Sequence, residues 1–251
     1  AIESLKGEEN KTATINILKN SVKLGDFSEI TGSKDNSTYS ITFVGNGASS
    51  TTIDINTGKK TKGEDLAKAG GNYLEKASLS FKDVTVILGD EADYQGFGRA
   101  GNLSFEGCRL VGKGCFWGPV TTFTDCVFEG VKKDETTENG FKYYYNAWLY
   151  TSGKYTFTRC TFNSFNGKFL HLYNESGVGN LKLDVTIKDC VFDSVENPPF
   201  EKAALAIKDE VSGTISVEGT SVKGIKELVN IEDGTINLTV EIDGEQVYPK
   251  N

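Results

Sequence analysis

Hydrophobic and polar positions recur along this chain in an eight-residue pattern: apolar, x, apolar, x, turn residue, Cys or small β-former, x, apolar. The copies are LSFKDVTV, LSFEGCRL, TTFTDCVF, YTFTRCTF, VTIKDCVF and ISVEGTSV, which begin at Leu79, Leu103, Thr121, Tyr155, Val185 and Ile215. Their starts are separated by 24, 18, 34, 30 and 30 residues. Self-similarity at this period is typical of a solenoid, in which each copy is one coil stacked on the last.

Each copy predicts two short strands joined by a tight bend. Phe81 and Val84 both need to face inward, although they are three residues apart and strict alternation would place them on opposite faces. One residue between them must therefore adopt a bend, which we expect to be left-handed. The bend positions are Asp83, Gly107, Asp125, Arg159, Asp189 and Gly219. Gly and Asp tolerate that conformation, and Arg159 fits it least well.

A second kind of strand follows each copy after a loop of variable length. Its versions are GCFWGPV from Gly114, NAWLYTS from Asn146, KFLHLYN from Lys168 and AALAIKD from Ala203. Three strands per coil, with one tight bend and two looser corners, describe a right-handed parallel β-helix. Over residues 79–222 the x-[FI]-x-[DG]-C-x-F coils resemble the pectin-lyase-like β-helix family.

The chain is expected to form one continuous all-β domain of roughly eight coils. Residues 1–78 predict irregular first coils with one short helix near residues 62–70, residues 79–225 the regular coils, and residues 226–251 final strands that cap the open end. Two insertions, at residues 129–145 and 196–202, are longer than a corner requires. Such insertions in solenoids are often functional.

Composition removes several classes of partner. The net charge is −8, and only Arg99, Arg109 and Arg159 are arginines, which argues against nucleic acid. No apolar run is long enough for a membrane helix, so no membrane insertion is expected. Because the chain contains no Met, we expect a mature or excised fragment of a longer precursor. Neither a metal nor another cofactor is expected, since no CxxC pair occurs.

Four cysteines share one position of consecutive coils: Cys108, Cys126, Cys160 and Cys190. They predict an inward ladder of free, buried thiols that fills a narrow core. Disulfides between adjacent coils are poorly oriented in parallel, in-register strands. Cys115 lies outside this ladder.

Aromatic residues of the second strands carry the functional hypothesis. Alternation places Trp148, His171 and Ala206 outward in one row and Tyr150, Tyr173 and Lys208 in the next. Aromatic rows stack on sugar rings or anchor protein partners. The candidate ligand-binding residues are Trp117, Phe141, Tyr143, Tyr144, Tyr145, Trp148, Tyr150, His171, Tyr173, Asn174 and Lys208. The alternative is that the chain's own loops cover these aromatics, which then merely seal that face.

Three functions follow as hypotheses. The first is a non-catalytic, extracellular binding domain of a bacterial surface protein, similar to adhesin-type β-helix modules. It is monomeric as an isolated domain and recognises a host or matrix glycan, or a host protein such as a mucin or an immunoglobulin. The second is a β-helix polysaccharide lyase or glycoside hydrolase that uses His171, Glu175 and Asp209, although the NTD, DD, GHG and RIK strings of the polygalacturonases are missing. The third is a structural spacer.

Overall fold

A computed structural model describes the chain at residues 11–23, 39–54, 77–89, 101–112, 114–116, 118–130, 146–149, 151–164, 169–173, 181–194, 203–208, 210–231 and 237–249. Within these ranges every regular element is a β-strand. The short helix expected near residues 62–70 lies outside them.

The strands are short and follow one another closely in the chain. In chain order they are β1 (Lys11–Asn16), β2 (Ser21–Lys23), β3 (Tyr39–Val44), β4 (Thr52–Asp54), β5 (Ala77–Lys82), β6 (Thr85–Gly89), β7 (Asn102–Glu106), β8 (Arg109–Gly112), β9 (Gly114–Phe116), β10 (Val120–Thr124), β11 (Val127–Glu129), β12 (Ala147–Leu149), β13 (Gly153–Thr158), β14 (Thr161–Ser164), β15 (Leu170–Tyr173), β16 (Leu181–Lys188), β17 (Val191–Ser194), β18 (Ala203–Lys208), β19 (Val211–Glu218), β20 (Ser221–Lys223), β21 (Glu227–Ile231), β22 (Leu238–Ile242) and β23 (Glu245–Tyr248).

The strands form three sheets. Sheet A has the order β1-β3-β5-β7-β10-β13-β16-β19-β22-β23, sheet B the order β2-β4-β6-β8-β11-β14-β17-β20, and sheet C the order β21-β18-β15-β12-β9. From β7 to β21 the chain adds one strand to sheet A, one to sheet B and one to sheet C in turn, and β22 and β23 then both join sheet A. Neighbouring strands are parallel, and β23 alone among those described returns antiparallel, against β22. This all-β, parallel arrangement is compatible with a β-helix.

The register of sheet A confirms the alignment of the octapeptides. Leu103 of β7 pairs with Thr121 of β10, which pairs in turn with Tyr155 of β13. The same alignment continues through Val185 to Ile215. We call the residues that share one register position in successive strands a column.

Phenylalanines occupy the inner columns and stack along the sheets. The ring centroids of Phe123 lie 5.0 Å from Phe105 and 4.8 Å from Phe157, with the rings nearly parallel. In sheet B, Phe162 stacks in the same way on Phe128 at 4.5 Å and on Phe192 at 4.6 Å. Each such pair contributes about 0.5–1.5 kcal/mol beyond the apolar area that it buries. In-register pairing therefore converts a sequence repeat into a continuous aromatic core.

The bend between sheets A and B is left-handed, as the sequence predicts. The φ angles of Asp83, Gly107, Asp125, Arg159, Asp189 and Gly219 are 53°, 61°, 54°, 52°, 53° and 58°. Asp and non-Asp residues alternate along this column. A Cβ atom added to Gly107 would lie 2.6 Å from the Asp83 Oδ1 atom, and one added to Gly219 would lie 2.5 Å from the Asp189 Oδ1 atom. At both positions the carboxylate of one strand thus fills the space that a side chain of the next would need.

The cysteine ladder is buried and free, which confirms that prediction for Cys108, Cys126, Cys160 and Cys190. Each of these residues is 1% exposed. The Cys126 thiol donates to the carbonyl oxygen of Phe105 at 3.4 Å. Hydrogen bonding to the Cys108 and Cys160 thiols, followed by burial, raises the pKa of Cys126 above its ordinary value of 9.0. This thiol therefore stays protonated at neutral pH.

Candidate functional site

Sheet C brings Trp148 and His171 together on adjacent strands. Trp148 of β12 pairs with His171 of β15, and His171 pairs with Ala206 of β18. This is the row that the sequence predicts. Ala147 and Leu149, on either side of Trp148 in β12, belong to the contiguous apolar core, whereas Trp148 does not. Because side chains alternate along a strand, Trp148 lies on the opposite face of sheet C.

Trp148 and His171 are both buried, as the alternative of a covered aromatic face expects. Trp148 is 3% exposed and His171 is 5% exposed. Other atoms of the chain therefore cover the outer face of sheet C at these two positions. Of the two interpretations of the aromatic row, burial favours the covered one at these two positions, because alternation determines the face of a side chain and not what lies over that face.

The side chains of the other predicted binding residues lie outside the described part of the structure. The backbones of Tyr173 and Lys208 pair in register, as predicted, but their side chains lie outside the described part of the structure. The same holds for all atoms of the remaining candidates, which are Trp117, Phe141, Tyr143, Tyr144, Tyr145, Tyr150 and Asn174. Of the three residues assigned to the enzymatic alternative, the structure describes His171, while Glu175 and Asp209 lie outside it.

Asn146, which sequence reasoning missed, lies directly before the strand that carries Trp148. It is 1% exposed. Its backbone N–H donates to the Phe169 carbonyl oxygen at 3.0 Å, its own carbonyl accepts from the Gly114 N–H at 3.1 Å, and its Nδ2 donates to the Asn163 carbonyl oxygen at 3.0 Å. The side chain of Asn146 thus ties the start of β12 to sheet B, while its backbone groups bond to the neighbouring segments of sheet C. Only its position at the end of the longer insertion could have drawn attention to it.

A second polar group interrupts the inner column of sheet A close to the corner with sheet C. Tyr155 is fully buried, and its hydroxyl donates to the Thr151 carbonyl oxygen at 2.8 Å. In the neighbouring strand, the Thr121 hydroxyl donates to the Gly118 carbonyl oxygen at 3.2 Å. Both hydroxyls satisfy backbone carbonyls of the corners that lead out of sheet C. Their role is to hold those corners in place.

Ion pairs on the outside join adjacent strands. Arg159 forms a bidentate ion pair with Asp125, with both N–O distances equal to 2.7 Å. The hydrogen bonds between the two side chains lower the pKa of Asp125 and raise the pKa of Arg159. A similar bidentate pair joins Arg109 to Glu129 in sheet B, with N–O distances of 2.6 Å and 2.8 Å. The Arg159–Asp125 pair joins matching bend positions, whereas the Arg109–Glu129 pair is diagonal, since Arg109 is in register with Val127.

The described residues form neither a metal-binding cluster nor a membrane-spanning helix. No group of three or more His, Cys, Asp or Glu side chains there is arranged to hold a metal ion. Within the same ranges, no helix is long and apolar enough to cross a membrane.

Comparison of the chain with known protein families, with curated proteins and with solved structures gave no match.

Proposed function

We propose that this chain is a non-catalytic, extracellular binding domain of a bacterial surface protein. In this proposal it is a single right-handed parallel β-helix of roughly eight coils, adhesin-like and monomeric. It recognises a host or matrix glycan, or a host protein such as a mucin or an immunoglobulin. The resemblance of its coils to the pectin-lyase-like family motivates this proposal.

One observation carries the proposal. Trp148 and His171 are register neighbours on the face of sheet C that does not contribute to the apolar core. A solenoid core does not require Trp and His at outer positions of successive strands, and the outer column of sheet A is formed by Ser and Thr residues instead. Aromatic groups clustered on one face are the residues that stack on sugars or anchor a protein partner.

Burial of the two side chains changes their proposed role. With 3% and 5% exposure, Trp148 and His171 support the binding face from beneath. Direct contact with the ligand is assigned to their predicted neighbours, among them Tyr150, Tyr173, Asn174 and Lys208. Loss of Trp148 then weakens binding because the contact layer loses its support.

The proposal is tested with the whole chain in two screens, one on a glycan array and one by pull-down from serum and mucin preparations. For a ligand found in this way, Trp148→Phe is expected to weaken binding tenfold or more, which corresponds to about 1.4 kcal/mol. The matched control is Thr156→Ala, at an outer position of sheet A, which should leave the affinity unchanged. Equal affinities of both variants and the parent chain would remove Trp148 from the binding face.

A structural spacer is the second candidate, and the burial of Trp148 and His171 favours it specifically. A spacer needs a rigid, sealed body and no ligand. It predicts that both screens give no reproducible ligand, and that Trp148→Phe changes only stability. Release of reducing ends or unsaturated products from a polysaccharide would instead favour the enzymatic alternative.

A further inference from the structure

Asn146 combines complete burial with an unused hydrogen-bonding atom. Both of its backbone polar groups and its Nδ2 are engaged by Phe169, Gly114 and Asn163. Its Oδ1 is, among the described residues, the buried side-chain oxygen or nitrogen atom for which no partner exists in the protein.

The orientation of this amide is determined by its surroundings. The side-chain atom that faces the Asn163 carbonyl oxygen at 3.0 Å must be the donor nitrogen, since an oxygen there would place two acceptors in contact. The Asn163 carbonyl also accepts from the Gly130 N–H at 2.9 Å. Rotation of the amide therefore cannot satisfy Oδ1 by exchanging its two ends.

An enclosed amide oxygen without a donor costs about 1–3 kcal/mol. In folded proteins, ordered internal water molecules form hydrogen bonds with such groups where the surroundings are polar. The Asn163 carbonyl oxygen and the buried Ser164 that follows it supply polar groups at the end of β14. Because Asn146 is only 1% exposed, its partner must be small and enclosed.

We propose that Asn146 Oδ1 accepts a hydrogen bond from a single enclosed water molecule at the junction of sheets B and C. This water is an integral part of the corner that starts β12, and it completes the hydrogen bonding of the residue that precedes Ala147 and Trp148. The site does not depend on the binding function proposed above.

The test is water–protein NOE and ROE spectroscopy on the whole ¹⁵N-labelled chain. A long-lived water gives the Asn146 side-chain amide protons NOE and ROE cross-peaks of opposite sign. The control is the exposed side-chain amide of Asn102, which donates to the Ser78 hydroxyl at 3.2 Å and should show only rapidly exchanging solvent. An assigned Asn146 amide without a long-lived water cross-peak would overturn the proposal.

A crystal structure provides the second measurement and needs no substitution. A water oxygen about 2.7–3.2 Å from Oδ1 is the expected result. A protein donor or an ammonium ion at that position would contradict it. In Asn146→Leu, the water cross-peak at the Ala147 N–H should disappear if Oδ1 holds the water, and its persistence would assign the water to other groups.

Discussion

The outer faces of sheets A and C follow the same alternation but have opposite character. On sheet A, Thr42, Ser80, Ser104, Thr122, Thr156, Thr186 and Ser216 form one outer column of half-buried hydroxyl residues. On sheet C, the outer column includes Trp148 and His171, which are buried. The strand period assigns a side chain to a face, whereas exposure depends on what packs over that face. An aromatic row on an outer face is therefore not by itself an accessible surface.

The largest expected loss of stability follows from a substitution on the inner face of sheet A. Phe123→Ala removes a ring that contacts Phe105, Phe157, Phe116 and Phe128, with centroids 4.8–5.0 Å away. The free energy of unfolding should fall by about 5 kcal/mol, measured by urea denaturation. Thr122→Ala, the outward neighbour in β10, should change it by no more than about 0.5 kcal/mol. Similar losses for the two variants would contradict the division of faces.

The outer face of sheet C should behave like a core. Trp148→Ala is expected to cost about 3 kcal/mol of unfolding free energy, because it empties a covered space. Thr156→Ala, at an outer position of sheet A, is the matched control and should have little effect. If Trp148→Ala proves as mild as the control, the two outer faces do not differ in the way that the structure indicates.

Particular residues show how far the sequence predicts this molecule. The repeat predicts the register of Leu103, Thr121 and Tyr155 and the left-handed bends, because periodicity and bend chemistry are local. It also predicts that Trp148 pairs with His171. It cannot predict the burial of Trp148, since alternation does not say what lies over a face, or the enclosure of Asn146, which bonds to Asn163 of another sheet. Arg159, the least suitable bend residue by type, is accommodated through its contact with Asp125 in the neighbouring strand.

Substitutions in the bend column, at one margin of sheet A, test how closely adjacent strands approach each other. Gly107→Ala places a Cβ atom at a φ of 61°, 2.6 Å from the Asp83 Oδ1 atom. The expected loss is about 2 kcal/mol in thermal or urea unfolding. Asp83→Ala combined with Gly107→Ala should recover part of that loss, since the contact disappears while the backbone strain persists. Strict additivity of the two substitutions would argue against the contact.

The cysteine ladder inside the same bend predicts a response to alkaline pH. The pKa of the Cys126 thiol is raised in the folded state, first by hydrogen bonding to the Cys108 and Cys160 thiols. Unfolding therefore releases a proton from Cys126 above pH 9, so the contribution of this thiol to stability is complete below that pH and falls as the pH rises, by up to about 1.4 kcal/mol per pH unit. Cys126→Ala should flatten the slope of the unfolding free energy between pH 9 and 10. Identical slopes in both proteins would contradict this assignment.

The exposed ion pair between Asp125 and Arg159 should make the smallest contribution to stability. Hydrogen bonding to Arg159 lowers the pKa of Asp125, so this pair stabilises the fold above the ordinary carboxyl pKa of 3.8 and loses its contribution as the pH falls through the lowered value. Arg159→Ala should raise the pKa of Asp125 in an NMR titration of its carboxyl carbon. Arg109→Ala, which removes the pair with Glu129 instead, should leave that pKa unchanged.

Alternation of Asp with other residues in the bend column limits how the repeat can be lengthened or shortened. Removing the single repeat that contains Gly107 would place Asp83 beside Asp125, with two carboxylates on strands about 4.8 Å apart. Removing the repeat that contains Arg159 would bring Asp125 against Asp189. Excising two consecutive repeats preserves the order of acidic and non-acidic bends. Repeats can therefore be removed in pairs, or singly where the bend is acidic, whereas the loss of a single non-acidic bend brings two carboxylates together.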